Sequence, residues 1–243
     1  MGRTHMGAGH VIRQNTRKNL GTVESVADFG DGLRRIVFSP RARDLRWKPG
    51  MAVATIVDPE GKTLKDRWRH YTIRRQHDDG SLEFLLTRHD AGGPGIDWLE
   101  GLSPGDSFTF MGPGGSPVLE PDHHAYVLIG DRTSLASMGA MRDALPADTS
   151  VTAIVATPNP DRAQFDSSHP TAIDWIEASD ADSISTGLAD AVSALGALPS
   201  DAQVYLTGEM RSIRAVRTIL SEQGIRRRQI GTHAHWTPGR RGM

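Results

Sequence analysis

Ala125-Tyr126-Val127-Leu128-Ile129-Gly130-Asp131-Arg132-Thr133-Ser134-Leu135-Ala136 is the stretch that decides the fold. Five apolar residues in a row run into a small polar turn, and a helical segment, Leu135 to Ala144, follows. An unbroken apolar run suits a strand buried on both faces, the usual situation in a parallel sheet. The alternation continues downstream. Val151 to Ala156, Ile173 to Ile176 and Gln203 to Leu206 read as strands, while Ile184 to Leu195 and Ile213 to Glu222 read as helices. Strands alternating with helices predict a parallel α/β domain.

Upstream of Pro117 the period changes. Val23 to Ala27, Leu33 to Ser39, Met51 to Val57, Tyr71 to Arg74 and Leu82 to Thr87 are short runs rich in apolar and β-branched residues. Gly30-Asp31-Gly32, Pro49-Gly50, Asp58-Pro59-Glu60-Gly61 and Asp78-Asp79-Gly80 punctuate them as turns. A short helix starting near Pro94 or Gly95 interrupts the series, with Trp98 and Leu99 on its buried side. Ser107 to Phe110 is the expected last strand, ended by Gly112-Pro113-Gly114-Gly115-Ser116. Regularly spaced short strands predict an antiparallel barrel or sandwich. The fold class expected is therefore a β-barrel plus an α/β domain. Residues 17–117 form the barrel and residues 124–243 the α/β domain with its C-terminal tail, joined through the polar segment Pro117 to His124.

Composition narrows the chemistry. The formal charge of -1 over 243 residues gives no whole-chain case for nucleic-acid binding. The chain has no cysteine, which excludes disulfides and cysteine-held zinc or iron–sulfur centres. Electron chemistry would need a bound organic cofactor or a metal held by other ligands. No run of ~18 apolar residues, the length of a membrane span, is present. Met1 to Asn15 lacks the apolar centre of a signal peptide and reads as a loose tail.

Four segments are candidates for chemistry. In Arg67-Trp68-Arg69-His70-Tyr71-Thr72-Ile73-Arg74-Arg75, strand alternation puts Arg69, Tyr71 and Ile73 on one face and His70, Thr72 and Arg74 on the other. Arginine binds phosphate through two parallel hydrogen bonds, tyrosine offers a flat face and threonine a hydroxyl; a solvated basic strand is the alternative. Thr87 to Trp98 carries His89, Gly93, Pro94, Gly95, Ile96 and Asp97, a glycine-rich approach to a helix N-terminus suited to a diphosphate, or simply a hairpin loop. Gly130 to Ala136 lies at the carboxyl end of a strand, where α/β sheets bind ligands, or is an ordinary cap made by Thr133 or Ser134. It is not a G-x-G-x-x-G fingerprint. Leu206-Thr207-Gly208-Glu209-Met210-Arg211 repeats that placement, with Ser212 as a possible cap. The tail holds His233 and His235, two metal-ligand types without a third, and Arg240 and Arg241, which suit an anionic substrate or a solvated face.

These landmarks, in this order, resemble the siderophore-interacting protein family of FAD-dependent ferric-siderophore reductases, within the ferredoxin-reductase-like superfamily. They are Arg69-His70-Tyr71-Thr72-Ile73-Arg74, His89 with Gly93-Pro94-Gly95 and Trp98, Pro104-Gly105-Asp106, Gly112 to Ser116, Gly130-Asp131-Arg132-Thr133-Ser134-Leu135, Gly208-Glu209, and Trp236 with Gly239-Arg240-Arg241-Gly242. The resemblance runs from about Gly21 to Gly242 and implies FAD with NADPH or NADH as cofactors. It implies Arg69 on the FAD diphosphate, Tyr71 against the isoalloxazine, and Thr72 at the N5 and O4 edge. His89 and the backbone from Gly93 through Ile96 to Asp97 complete the diphosphate site. Thr133 lies near flavin and nicotinamide, Gly208 and Glu209 border the nicotinamide cleft, and Trp236 approaches the flavin. The partner implied is a ferric siderophore or another small ferric chelate, met by a cytoplasmic monomer.

The chain departs from the family at Arg132, usually an acid; at Ala136-Ser137, where the family has Pro-Ala; at Gly95, usually alanine; and in the tail, where His235 and an insertion interrupt Gly-Tyr-Trp-Arg-Arg-Gly. Arg132 is thereby a candidate for an anionic substrate, with Arg240 and Arg241. A general NAD(P)H:flavin oxidoreductase, a reductase for another acceptor and a siderophore-binding flavoprotein without turnover are the alternative functions.

Overall fold

The computed structural model describes residues 18–30, 32–42, 45–89, 92–115 and 117–240. Met1 to Asn15, Asp31, Ser116 and Arg241 lie outside them. Six strands, β1 (Lys18–Phe29), β2 (Leu33–Pro40), β3 (Ala52–Ile56), β4 (Trp68–Gln76), β5 (Leu82–Thr87) and β6 (Ser107–Gly114), close into an antiparallel barrel in the order β1-β2-β5-β4-β3-β6. Period-2 alternation turns one face of each strand inward. Four of the six phenylalanines fill the barrel: Phe38 stacks 4.6 Å from Phe84 and 5.0 Å from Phe108, and Phe110 packs beside them. One turn of helix, α1 (Leu64–Arg67), leads into β4, and α2 (Pro94–Gly101) covers the barrel through Leu99 and Trp98. The glycine-rich segment from Gly112 does not end the last strand; β6 continues to Gly114 because Ala52 of β3 still pairs with Gly114.

The second half is a five-stranded parallel sheet in the order β11-β10-β7-β8-β9. Its strands are β7 (Ala125–Asp131), β8 (Ser150–Thr157), β9 (Asp174–Glu177), β10 (Gln203–Glu209) and β11 (Ile230–Trp236). All seven residues of β7 are buried, as the unbroken apolar run requires. Helices α4 (Ala181–Ala194) and α5 (Met210–Glu222) pack Leu188, Val192, Val216 and Leu220 on one face. α3 (Leu135–Asp143) packs on the other. Both α4 and α5 start three residues before the sequence reading, because Asp180 and Glu209 cap them with side-chain carboxylates. β11 is a correction of kind: the tail read from its basic and aromatic residues is an edge strand, paired in parallel with β10 from Val204↔Ile230 to Glu209↔Trp236.

The two halves share one core. Leu33 and Leu85 on the outside of the barrel pack with Tyr126, Leu128, Met138 and Met141. Arg74 crosses the same seam. It is 1% exposed, donates to Asp143 Oδ2 of α3 at 2.7 Å, and also bonds the backbone and carboxylate of Asp166. Burial pushes the Asp143 carboxyl up, but hydrogen bonds from Ser167 and Arg74, with the Arg74 charge, outweigh it and hold the group down to about 2. The glycine at 139 follows from this clamp, since a Cβ there would lie 2.4 Å from Arg74 Nε.

Candidate functional site

The carboxyl end of β10 and the edge strand β11 meet the barrel strand β4 across a cavity of about 260 Å³, with Ser137 and Met141 of α3 also in its wall. His70 and Thr72 of β4 line it on one side, Thr207 of β10 and His233 and His235 of β11 on the other. Gly50, Ala52, Gly114 and Gly115 keep its barrel wall flat and low. Thr207 is 4% exposed, and its Oγ1 has no hydrogen-bond partner. A buried hydroxyl left unpaired is costly, so an orphan in a cavity wall points to a ligand that completes it.

Behind Thr207 stands a carboxylate. Asp131, at the end of β7, is buried and receives four donors: Thr133 N–H at 2.8 Å, Thr133 Oγ1 at 2.5 Å, Glu209 N–H at 2.8 Å and Trp236 Nε1–H at 2.9 Å. Burial pushes its pKa up, against the pull of these donors. Asp131 caps the Arg132–Ser134 turn, and Ser134 is the N-cap of α3 without a side-chain hydrogen bond. Gly208 has φ +110, and a Cβ on it would lie 2.5 Å from Asp131 Oδ2. Gly208→Ala is expected to destabilise the protein by about 2 kcal/mol through this left-handed strain, read as a lower urea midpoint at unchanged slope.

On the opposite face of β4, Arg69 and Tyr71 sit against the start of α2. A Cβ on Gly95 would come 3.2 Å from Tyr71 Oη and 3.3 Å from Arg69 Nε. Tyr71 stacks on Trp98 at 5.4 Å, and burial pushes its phenol up. Gly93, with φ 105, caps α2 without a side-chain hydrogen bond; Arg69 and Tyr71 border this helix N-terminus, and Asp97 stands in its first turn.

Residues 123–239 match the family described as siderophore-interacting protein. The match covers the parallel-sheet half of the chain and does not extend into the barrel. The siderophore-interacting protein SipS from Aeromonas hydrophila has the same fold, with TM-score 0.79, 24% identity and 93% of each chain covered. A flavohemoglobin from Malassezia yamatoensis, solved with bound FAD and heme, matches at TM-score 0.68 and 16% identity over 93% of this chain and 62% of its own. Ferredoxin reductases share the architecture. Among curated proteins, the mycobactin import ATP-binding/permease protein IrtA of Mycobacterium tuberculosis is 27% identical over 191 residues, 75% of this chain. This chain spans 21% of that protein's length.

The fold divides the residues singled out from sequence. Arg69, Tyr71, Gly93 and Gly95 come together, and His70, Thr72 and the end of β11 come together on the other side. Ile96 packs on the barrel core, while Asp97 and His89 are exposed. Three expectations are corrected. Ile73 is 0% exposed inside the barrel and offers no side chain to a ligand. Arg74 is the buried seam clamp, not a cofactor ligand. Arg132 is turned away from the cavity onto the barrel, donating to the Arg88 carbonyl at 3.2 Å beside Gly32. Glu209 accepts from the Ser212 N–H and hydroxyl through Oε2 at the head of α5, while its buried Oε1 has no hydrogen-bond partner and lies 3.7 Å from Arg211 Nε. Arg240 is exposed beyond β11. Thr207 and Asp131 stand inside candidate segments but carry no role in the sequence reading. No group of three or more His, Asp or Glu is placed to hold a metal among the described residues.

Proposed function

We propose that this protein is an FAD-dependent reductase that takes electrons from NADPH or NADH and delivers them to a ferric siderophore or another small ferric chelate, releasing Fe(II). The observation that carries the reading is the cavity between β4 and the ends of β10 and β11, with the orphan Thr207 hydroxyl in its wall. The residues present fit such a cofactor. Arg69 and the N-terminus of α2 offer a cation and a helix dipole to a diphosphate. Thr72 and Thr207 offer hydroxyls to a ring edge, and the glycine and alanine wall leaves room for a flat ring. When bound, FAD supplies the coupling between a two-electron donor and a one-electron acceptor.

The chain's own part is orientation and exclusion. Asp131 fixes Thr133 and Trp236, and the shared core holds barrel and sheet at one spacing. Exposed Arg240, with Arg241, attracts an anionic chelate by long-range electrostatics. The siderophore-interacting match and the mycobactin-import relative support the substrate class. No helix among the described residues is long and apolar enough to cross a membrane; with NAD(P)H as donor, we place the protein in the cytoplasm as a monomer.

The test is the visible spectrum with FAD. Bands near ~450 and ~370 nm are expected for bound oxidised flavin. Arg69→Ala is expected to weaken FAD binding about 10- to 100-fold, the loss of charge-assisted hydrogen bonds. A wild-type protein that stays colourless sinks the reading, and a flavin-loaded protein that reduces no ferric chelate moves it to another acceptor.

A further inference from the structure

The four contacts of Asp131 bear on where the protons lie in its neighbourhood. Thr133 N–H, Glu209 N–H and Trp236 Nε1–H can only donate, so three of the four contacts are donations to Asp131. Hydrogen bonds of this kind favour the ionised carboxylate, against burial, which pushes its pKa up. An ionised Asp131 can only accept, so in that state the single hydroxyl proton of Thr133 points to Asp131 as well. Thr133 Oγ1 also lies 3.0 Å from His235 Nδ1. With its proton committed, that oxygen accepts, and Nδ1 carries a hydrogen.

Burial holds His235 down to about 4, against the pull of Thr133, so the ring is neutral near pH 7. A neutral imidazole has one N–H. Its Nε2 is then bare. His235 lines the cavity, and among the described residues no group partners this nitrogen.

We infer that Asp131, acting through Thr133, locks His235 in the Nδ1–H tautomer, so that His235 presents a bare Nε2 to the cavity as the acceptor for an N–H of the bound ligand. His235 is then a binding residue, and Thr133 and Asp131 are positioning residues. The ligand chemistry selected is a neutral N–H donor. An aromatic imide such as that of isoalloxazine and a primary carboxamide such as that of nicotinamide both carry one, whereas a carboxylate in the same place is rejected. This last assignment rests on the proposed flavin reading; the tautomer does not.

The experiment is a long-range proton–nitrogen correlation spectrum at pH 7 on apo protein labelled with nitrogen-15 histidine, with His235→Phe assigning the signals. The expected pattern is a protonated Nδ1 and an unprotonated Nε2. Thr133→Val should abolish this preference and Thr133→Ser should keep it. An Nε2–H tautomer in the wild type, with the proton on Asp131 and the hydroxyl donating to His235, overturns the proposal. For the ligand, FAD is titrated into apo protein and NADH into FAD-loaded protein. His235→Phe should weaken one of the two about tenfold, one hydrogen bond's worth, identifying imide or carboxamide. Unchanged affinity in both overturns the binding role. Failure of the wild type to take up FAD removes the flavin reading while leaving the tautomer result standing.

Discussion

Arg74→Ala is expected to destabilise the protein by about 3 to 5 kcal/mol, the usual effect of removing one partner from a buried ion pair. Arg74 is buried at the seam, and its guanidinium ties β4 to α3 and to the segment around Asp166. Both carboxylates keep a second cation, since Arg75 reaches Asp143 at 3.1 Å and Arg35 reaches Asp166 at 2.5 Å. That retained pairing sets the lower end of the range. The void left beside Gly139 pushes it up, because nothing on that face of the helix can fill the space. Denaturant unfolding monitored by tryptophan fluorescence reads the loss. A change below 1 kcal/mol would show that the clamp is dispensable.

The clamp also sets an acid limit. The Asp143 carboxyl is held down to about 2 from its ordinary 3.8. A depressed folded-state pKa contributes stability that is present above the unfolded value and is lost as pH falls through the folded one. The contribution should therefore be complete above about pH 4 and disappear toward pH 2. Asp143→Asn should flatten stability over that window and leave the neutral-pH slope unaltered.

Asp131→Ala is the second large effect, expected at about 4 kcal/mol, because it strands several buried donors that each cost on the order of 1 to 3 kcal/mol when unpaired. The donors are two backbone N–H groups and the Trp236 indole, all held by one side chain. Relief of the buried charge offsets part of this, since burial itself disfavours the ionised form. Asp131→Asn is no rescue: both carboxylate oxygens are ringed by donors, so the amide NH₂ meets N–H or O–H in either orientation. Red-shifted Trp236 emission should accompany the loss. An Ala variant as stable as wild type would show that the carboxylate is not the organiser of the strand ends.

Much of this architecture is local information. The apolar run at Ala125 to Ile129 reads as a two-sided buried strand because burial on both faces leaves no polar position. The short strands before Pro117 read as a barrel because their turns are spelled out in glycine, proline and aspartate. β11 escaped the reading because Gly231, Thr232, His233 and His235 lack apolar alternation, and an edge strand needs little of it once β10 supplies the hydrogen bonds.

The site was legible only where chemistry sits in contiguous residues. Arg69 with Tyr71 and the glycines at the head of α2 come together as their spacing implies. Ile73 and Arg74 belong to the same run yet go into the core and the seam, because a strand face is decided by what packs on it.

By itself the sequence determined a barrel followed by a parallel α/β domain, a cysteine-free chemistry and the order of the family landmarks. Those follow from periodicity, turn residues and composition, which act over a few residues at a time. Only the tertiary structure decided the partners: Asp143 and Asp166, 69 and 92 residues from Arg74, and Asp131, 105 residues from Trp236. An arginine's charge suits a phosphate and a carboxylate equally, so its role waits on which of them the fold brings within reach.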